Sequence, residues 1–137
     1  MTLAKPLKRA RKAKRPLRRK AKRKAKLQDA DALFSQYVRK RDGWACKVCG
    51  SPDRIQCGHI VSRRYRAVRW APTNAVALCS RCHMRYTHNP LAWEEWVEGR
   101  FPGRLGMLKA QALAAHEHPD YDALCASLRL AIGGVTT

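Results

Sequence analysis

Two pairs of cysteines, each with two residues between its members, constrain the fold of this 137-residue chain more than any other feature. The first pair is Cys46 and Cys49, the second is Cys79 and Cys82, and residues 50–78 separate them. Two such pairs in a short basic domain are the usual four-thiolate ligand set of a structural zinc ion, which takes soft sulfur ligands in a tetrahedron. We therefore predict a zinc site that clamps the intervening residues together.

The cysteine content and the apolar content argue against a secreted or membrane protein. The chain has six cysteines, but its first residues lack the apolar centre of a secretory signal. No apolar run approaches the ~18 residues that are needed to cross a bilayer. We expect metal-binding thiols rather than disulfides, no membrane partner and a cytoplasmic location.

Positive charge is concentrated in the first two thirds of the chain. The first 26 residues contain 14 Lys and Arg and no acid, and residues 39–85 contain 11 against Asp42 and Asp53. This distribution predicts a polyanionic partner. We expect residues 1–28 to form a disordered basic tail along phosphates, because like charges repel and Pro16 would interrupt a helix. The same composition would also suit a nuclear-localisation or a membrane-surface segment.

Apolar periodicity and capping residues predict helices around two short strands. A stripe of apolar residues predicts a helix over residues 29–41, and alternation predicts a strand over residues 54–61. Residues 74–78 are predicted to form the second strand. Further helices are predicted to start near Ser80, at Asn89-Pro90, at Arg104 and after Asp120.

The predicted strands are joined by a loop, residues 62–73, in which basic and aromatic residues are interleaved. We interpret its basic side chains as contacts to a phosphate backbone: Arg63, Arg64, Arg66 and Arg69. Composition alone leaves an ordinary solvated loop as the alternative.

A His, an Asn and a second His occur in this order around the second strand. Phosphodiester hydrolysis requires a base that activates water, a cation that neutralises developing charge, and rigid placement of both. His59, Asn74 and His83 could supply the base, the positioning group and the metal ligand. A neutral imidazole near pH 7 serves as base or as ligand, depending on its neighbours.

These residues resemble the HNH nucleases, the ββα-metal family. The resemblance rests on Cys46-x2-Cys49, Gly58-His59-Ile60, Asn74-x3-Leu78-Cys79 and Cys82-His83, in this order and at this spacing. The wider run through His88-Asn89-Pro90 looks like the phage NinG (Rap) recombination endonucleases. The resemblance implies an α+β, mainly α fold: a small ββα-metal core with a zinc knuckle and flanking helices. We expect the nuclease domain with its flanking helices at residues 29–118, and a C-terminal helix and short tail at residues 119–137.

The resemblance also implies an activity and roles for single residues. The activity is metal-dependent hydrolysis of DNA, including branched DNA, in phage recombination within the cytoplasm of a bacterial host. His59 would be the general base, His83 would bind a catalytic Mg²⁺ or Mn²⁺, and Asn74 would orient the loop. The four cysteines would hold a separate zinc ion, and a homodimer is one assembly left open.

One position departs from the family pattern. Many members have a ligating Asp or His immediately before the general base, where this chain has Gly58. His88 and Cys57 are the candidate replacement ligands, and water or substrate oxygens are another source. Two non-catalytic interpretations stay open: a zinc-dependent nucleic-acid-binding module, and a structural zinc protein of a larger nucleoprotein assembly.

Overall fold

A computed structural model of the chain describes residues 15–135. Within this range it contains five α-helices and one two-stranded antiparallel sheet, so the predicted mainly helical α+β class is confirmed. The elements are α1 (Arg15–Arg41), β1 (Ile55–His59), β2 (Ala75–Cys79), α2 (Ser80–His88), α3 (Pro90–Arg100), α4 (Arg104–Ala112) and α5 (Tyr121–Gly134).

The first helix corrects the prediction for the basic tail. Helix α1 begins at Arg15, so the expected disorder is wrong for residues 15–28, and the expected interruption at Pro16 is wrong as well. Proline is tolerated in a first helical turn, where its missing N–H would have no partner. Eight of the 12 residues from Arg15 to Lys26 are Lys or Arg, which form helices well despite their charge. Residues 1–14 of the predicted tail lie outside the described residues.

The C-terminal half of α1 packs against α5. Phe34 and Val38 share an apolar cluster with Leu128, while Ala30 packs with Tyr121 and Cys125. Burial of one face explains why the helix is stable here, since tertiary packing supplies most helix stability. The helix ends at Arg41, and Gly43 follows with a positive φ of 70°, a conformation that commonly terminates helices.

The two strands form a hairpin in which His59 pairs with Ala75 and Gly58 pairs with Val76. All five residues of β2 are buried, because helices cover both sides of the strand. A Cβ atom on Gly58 would lie 2.6 Å from Cδ1 of Leu78. Glycine at position 58 thus allows close packing on β2, and a larger residue there would require Leu78 to move.

The later helices begin where their capping residues predict. Asn89 caps α3, with its side-chain oxygen 3.2 Å from the N–H of Ala92, and Asp120 caps α5 in the same manner. Helix α4 begins at Arg104, as predicted, and ends at Ala112. Trp93, Val97 and Leu108 from α3 and α4 bury the second side of the sheet.

Candidate metal centre and histidine cleft

The four predicted zinc ligands come together in one place. Their Sγ atoms all lie within 4.8 Å of one another, and we refer to this group as the four-thiol site: Cys46, Cys49, Cys79 and Cys82. The Sγ atoms of Cys49 and Cys79 are 3.7 Å apart. Four sulfurs at ~2.3 Å from a zinc ion would be ~3.8 Å from one another, so the spacing suits a tetrahedral thiolate site. The site could therefore hold a metal ion such as zinc.

Local backbone structure builds the four-thiol site. Gly50, with a positive φ of 77°, turns the first knuckle so that its N–H reaches the carbonyl of Cys46 at 2.8 Å. Cys79 ends β2 and caps α2, where its Sγ accepts a hydrogen bond from the N–H of Cys82. Strand, cap and first helical turn thus place the second pair.

The electrostatics of the four-thiol site favour a cation. Burial raises the pKa of Cys46, but the backbone N–H groups of Cys49, Cys79 and Val48 outweigh it and lower this pKa to about 6. Burial and the neighbouring thiols raise the pKa of Cys82 instead. Backbone dipoles thus stabilise the thiolate of Cys46, and this negative charge disfavours a second thiolate at Cys82. A bound divalent ion would offset the repulsion among four thiolates.

Both predicted histidines line a single cleft of about 570 Å³ between α1, β1 and α2. We call it the histidine cleft; Phe34, Ser35, Arg39 and Arg63 are also part of its wall. His59 is the last residue of β1, and His83 lies in the first half of α2. A smaller adjacent cleft of about 430 Å³ is lined by both imidazoles as well.

His59 is held in a defined tautomer by the backbone. Its Nε2 is 2.9 Å from the carbonyl oxygen of Arg69, which can only accept, so Nε2 carries the proton. Nδ1 then keeps its lone pair in the neutral ring. The ring packs 5.7 Å from that of Phe34. Burial is the largest cause of a lowered pKa of His59, and the nearby guanidinium groups of Arg63 and Arg69 lower this pKa further. The lowered pKa favours the neutral ring near pH 7.

His83 is oriented by a side chain of β1. Its Nδ1 donates to the Oε1 atom of Gln56 at 2.6 Å, which leaves the lone pair of the neutral ring on Nε2. Burial lowers the pKa of His83 as well. A neutral imidazole with one nitrogen fixed by a hydrogen bond and the other unprotonated suits a metal ligand.

Asn74 is fully buried and binds the loop that follows His59. Its Oδ1 accepts from the N–H of Val61 at 2.7 Å, and its Nδ2 donates to the carbonyls of Val61 and Val68 at 2.9 Å each. These bonds tie both ends of residues 61–68 to the start of β2. They are the loop-positioning hydrogen bonds that the sequence predicts for Asn74.

The arginines of this loop differ in their surroundings. Arg63 lines the histidine cleft, Arg64 is exposed, and Arg66 is half-buried and donates to the ring of His118. Arg69 does not match its predicted role as a phosphate contact, since all three of its guanidinium nitrogens bond within the protein. Two donate to Asp31 at 2.9 and 2.5 Å, and the third donates to the carbonyl of Arg63.

Asp31 is the site residue that sequence reasoning missed. Besides pairing with Arg69, it accepts from the indole N–H of Trp70 at 2.9 Å and lines the histidine cleft. It thereby fixes the segment whose carbonyl orients His59. Asp31 and Arg69 are 38 positions apart in the sequence, so no local sequence signal indicates this pair.

The two candidate replacement ligands do not complete a metal site beside the histidines. Cys57 lines the histidine cleft, but burial raises the pKa of its thiol to about 12, which disfavours the thiolate. His88 is exposed at the end of α2 and lines neither cleft that contains His83. Five positions along a helix rotate it ~140° from His83. Within residues 15–135, the four-thiol site is the one group of three or more potential ligands.

Comparisons with known proteins identify no relative. No protein-family model matches the chain, and no curated protein or solved structure matches it. The resemblance to the HNH nucleases therefore stays a prediction from the residues. Among the helices of residues 15–135, none combines the length and apolar character needed to cross a membrane.

Proposed function

We propose that the protein is a metal-dependent DNA endonuclease of the HNH type, in which the four-thiol site holds a structural zinc ion and the histidine cleft hydrolyses phosphodiester bonds. One observation carries the proposal. Two imidazoles from different elements, His59 and His83, line the same cleft and are each oriented by a hydrogen bond on one nitrogen.

His59 acts as the general base in this proposal. Its unprotonated Nδ1 takes the proton of a water molecule whose oxygen attacks phosphorus. The bond between phosphorus and the 3′ oxygen breaks, and the leaving oxygen takes a proton from solvent water. The products are a 5′-phosphate and a 3′-hydroxyl, as the resemblance implies. The carbonyl of Arg69 stabilises the resulting imidazolium through Nε2, while Asn74 keeps the loop in place.

His83 would hold the catalytic divalent ion through Nε2, and such an ion would neutralise charge on the phosphate and the leaving oxygen. Arg39 and Arg63 line the same cleft and supply further positive charge. Hard divalent ions commonly keep several water ligands, so one imidazole with water and phosphate oxygens forms a reasonable ligand set. Mg²⁺ and Mn²⁺ both fit this role, and the substrate includes duplex and branched DNA.

One observation favours a second function, a zinc-dependent nucleic-acid-binding module without catalysis. The histidine cleft lacks a third protein ligand within residues 15–135, and position 58 has no side chain that could supply one. In that case the cleft would bind phosphates through Arg39 and Arg63 only.

Plasmid nicking by the zinc-loaded protein separates these functions. We expect nicking only after addition of Mg²⁺ or Mn²⁺. His83→Ala should raise the Mn²⁺ concentration for half-maximal nicking by more than about tenfold, the range seen when metal-site contacts are lost. The control is His88→Ala, which removes an imidazole from the same helix outside the cleft. A wild-type protein that binds DNA but cuts under no divalent ion would establish the binding module instead.

A further inference from the structure

We infer that the protein carries a second site for DNA phosphates, on the side of α1 opposite the histidine cleft. Its lining includes Lys47, Arg100, Phe101 and Arg104, and we call it the arginine cleft. The inference rests on the proposed function in one respect, because it takes the polyanionic partner to be DNA. It adds a second segment of duplex, bound at the same time as the segment in the histidine cleft.

The position of the arginine cleft follows from the register of α1. Ser35 and Arg39 line the histidine cleft, whereas Tyr37 and Arg41 line the arginine cleft. Two positions along a helix differ by about 200° in direction, so these pairs face opposite sides. The arginine cleft has a volume of about 370 Å³ and shares no lining residue with the histidine cleft. A ligand in one cleft therefore leaves the other accessible.

The arginine cleft carries uncompensated positive charge. Arg41 and Asp42 also line it, but they pair with each other at 2.8 Å, and Arg41 donates to the carbonyl of Ala75 as well. In contrast, no side-chain hydrogen bond or ion pair within residues 15–135 involves Lys47, Arg100 or Arg104. Three cations remain without an anion from the protein.

The turn between α3 and α4 holds the two guanidinium groups together. Gly103 adopts a positive φ of 79°, which lets α4 start immediately after α3. Arg100 and Arg104 then lie over the same ring, 5.6 and 3.9 Å from the centroid of Phe101. Stacking on an aromatic ring restrains a guanidinium while its N–H donors stay available for phosphate oxygens. These restrained guanidinium groups can thus bind phosphate oxygens along a nucleic-acid backbone.

The size of the expected effect follows from counterion release. Each phosphate that is neutralised on B-DNA contributes about 0.9 to the slope of log affinity against log salt. Three contacts therefore weaken binding of the second duplex by roughly 40-fold between about 50 and 200 mM salt. Capture of a second duplex should be readily measured at low salt and lost at high salt.

A bridging assay tests the inference with the full, zinc-loaded chain. One linear duplex is immobilised, the protein is bound, and capture of a labelled duplex of unrelated sequence is measured without Mg²⁺ or Mn²⁺. We expect the variant K47Q/R100Q/R104Q to capture the second duplex roughly tenfold less well. Its affinity for a single duplex, measured separately, should stay within about twofold of wild type.

The matched control is K22Q/R23Q/K24Q, which removes the same charge from the exposed N-terminal half of α1. It should weaken single-duplex binding and capture together, as a general loss of charge does. The inference is overturned if wild type captures no second duplex, if K47Q/R100Q/R104Q captures it normally, or if that variant loses both steps equally. A protein that bridges but never cuts contradicts the proposed nuclease only, and one that cuts without bridging contradicts the arginine cleft only.

Discussion

The four-thiol site and the histidine cleft take neighbouring residues of α2, Cys82 and His83, and differ in how much of a ligand set the chain supplies. The four thiols lie within 4.8 Å of one another and need no further donor to surround an ion. The two imidazoles of the histidine cleft each have one nitrogen bonded within the protein and one free for chemistry. A closed ligand set suits a structural ion, whereas an open one suits exchange of water and substrate.

The largest effect is expected when one ligand of the four-thiol site is removed. Cys82→Ala should remove the bound metal and unfold the domain, because a structural zinc contributes ~10–16 kcal/mol against a total stability of ~5–15 kcal/mol. Zinc content by mass spectrometry and thermal unfolding measure this. Cys125→Ala alters a buried cysteine far from the thiols and should retain zinc, with a loss of about 1 kcal/mol. A folded Cys82→Ala variant with no metal would contradict the structural role.

A smaller loss is expected at Asn74, which holds the loop after His59. Asn74→Ala leaves three buried backbone groups of Val61 and Val68 without their partner, which should lower the free energy of unfolding by about 3 kcal/mol. Asn89→Ala removes only the exposed cap of α3 and should cost about 1 kcal/mol. Chemical denaturation of the zinc-loaded proteins compares them. Equal losses of unfolding free energy for the two variants would show that the hydrogen bonds of Asn74 do not stabilise the loop more than an ordinary helix cap stabilises its helix.

Asp31 provides a subtler test, because it acts on the histidine cleft through Arg69. Asp31→Asn weakens a half-buried bidentate pair, and we expect a loss of about 1–2 kcal/mol together with slower cleavage. Asp29→Asn makes the same charge change at an exposed position of the same helix. Denaturation and cleavage rates that are identical for both variants would rule out a positioning role for Asp31.

The dependence of cleavage on pH should be the smallest effect near neutrality. Burial lowers the pKa of His59 from its usual value near 6.5, so the ring is largely neutral at pH 7. In the proposed mechanism it therefore stops acting as the base only when acid protonates it. The rate should therefore fall below pH 6.5 and change by less than about threefold between pH 7 and 8. A tenfold rise over that last interval would show that another group limits the reaction.

Local signals in the sequence predicted much of this architecture. The spacing of the cysteines, the Asn89-Pro90 start of α3 and the Asp120 cap of α5 each depend on neighbouring residues only, and the structure confirms them. The alternation around His59 and the arrangement of His59 and His83 in one cleft were likewise predictable, because a hairpin followed directly by a helix brings them together.

Features that depend on distant residues were missed. The pair of Asp31 with Arg69 joins α1 to the loop after β1, and it converts a predicted phosphate contact into an internal one. The helix over residues 15–28 was not predicted because repulsion between its like charges opposes a helix, whereas the helix propensity of Lys and Arg and continuity with the packed half of α1 favour one. His88 lies outside the cleft because α2 continues to His88, which holds this residue ~140° around the helix axis from His83.

The most direct test of the account is single-turnover cleavage of saturating duplex DNA by zinc-loaded wild type, His59→Ala and His116→Ala. His116 is an exposed histidine outside both sites, so its removal serves as the control. We predict that His59→Ala cleaves about 10²–10⁴-fold more slowly, with unchanged zinc content and DNA affinity, while His116→Ala matches wild type. Cleavage by His59→Ala at the wild-type rate, or a parallel loss of zinc and DNA binding, would contradict the account.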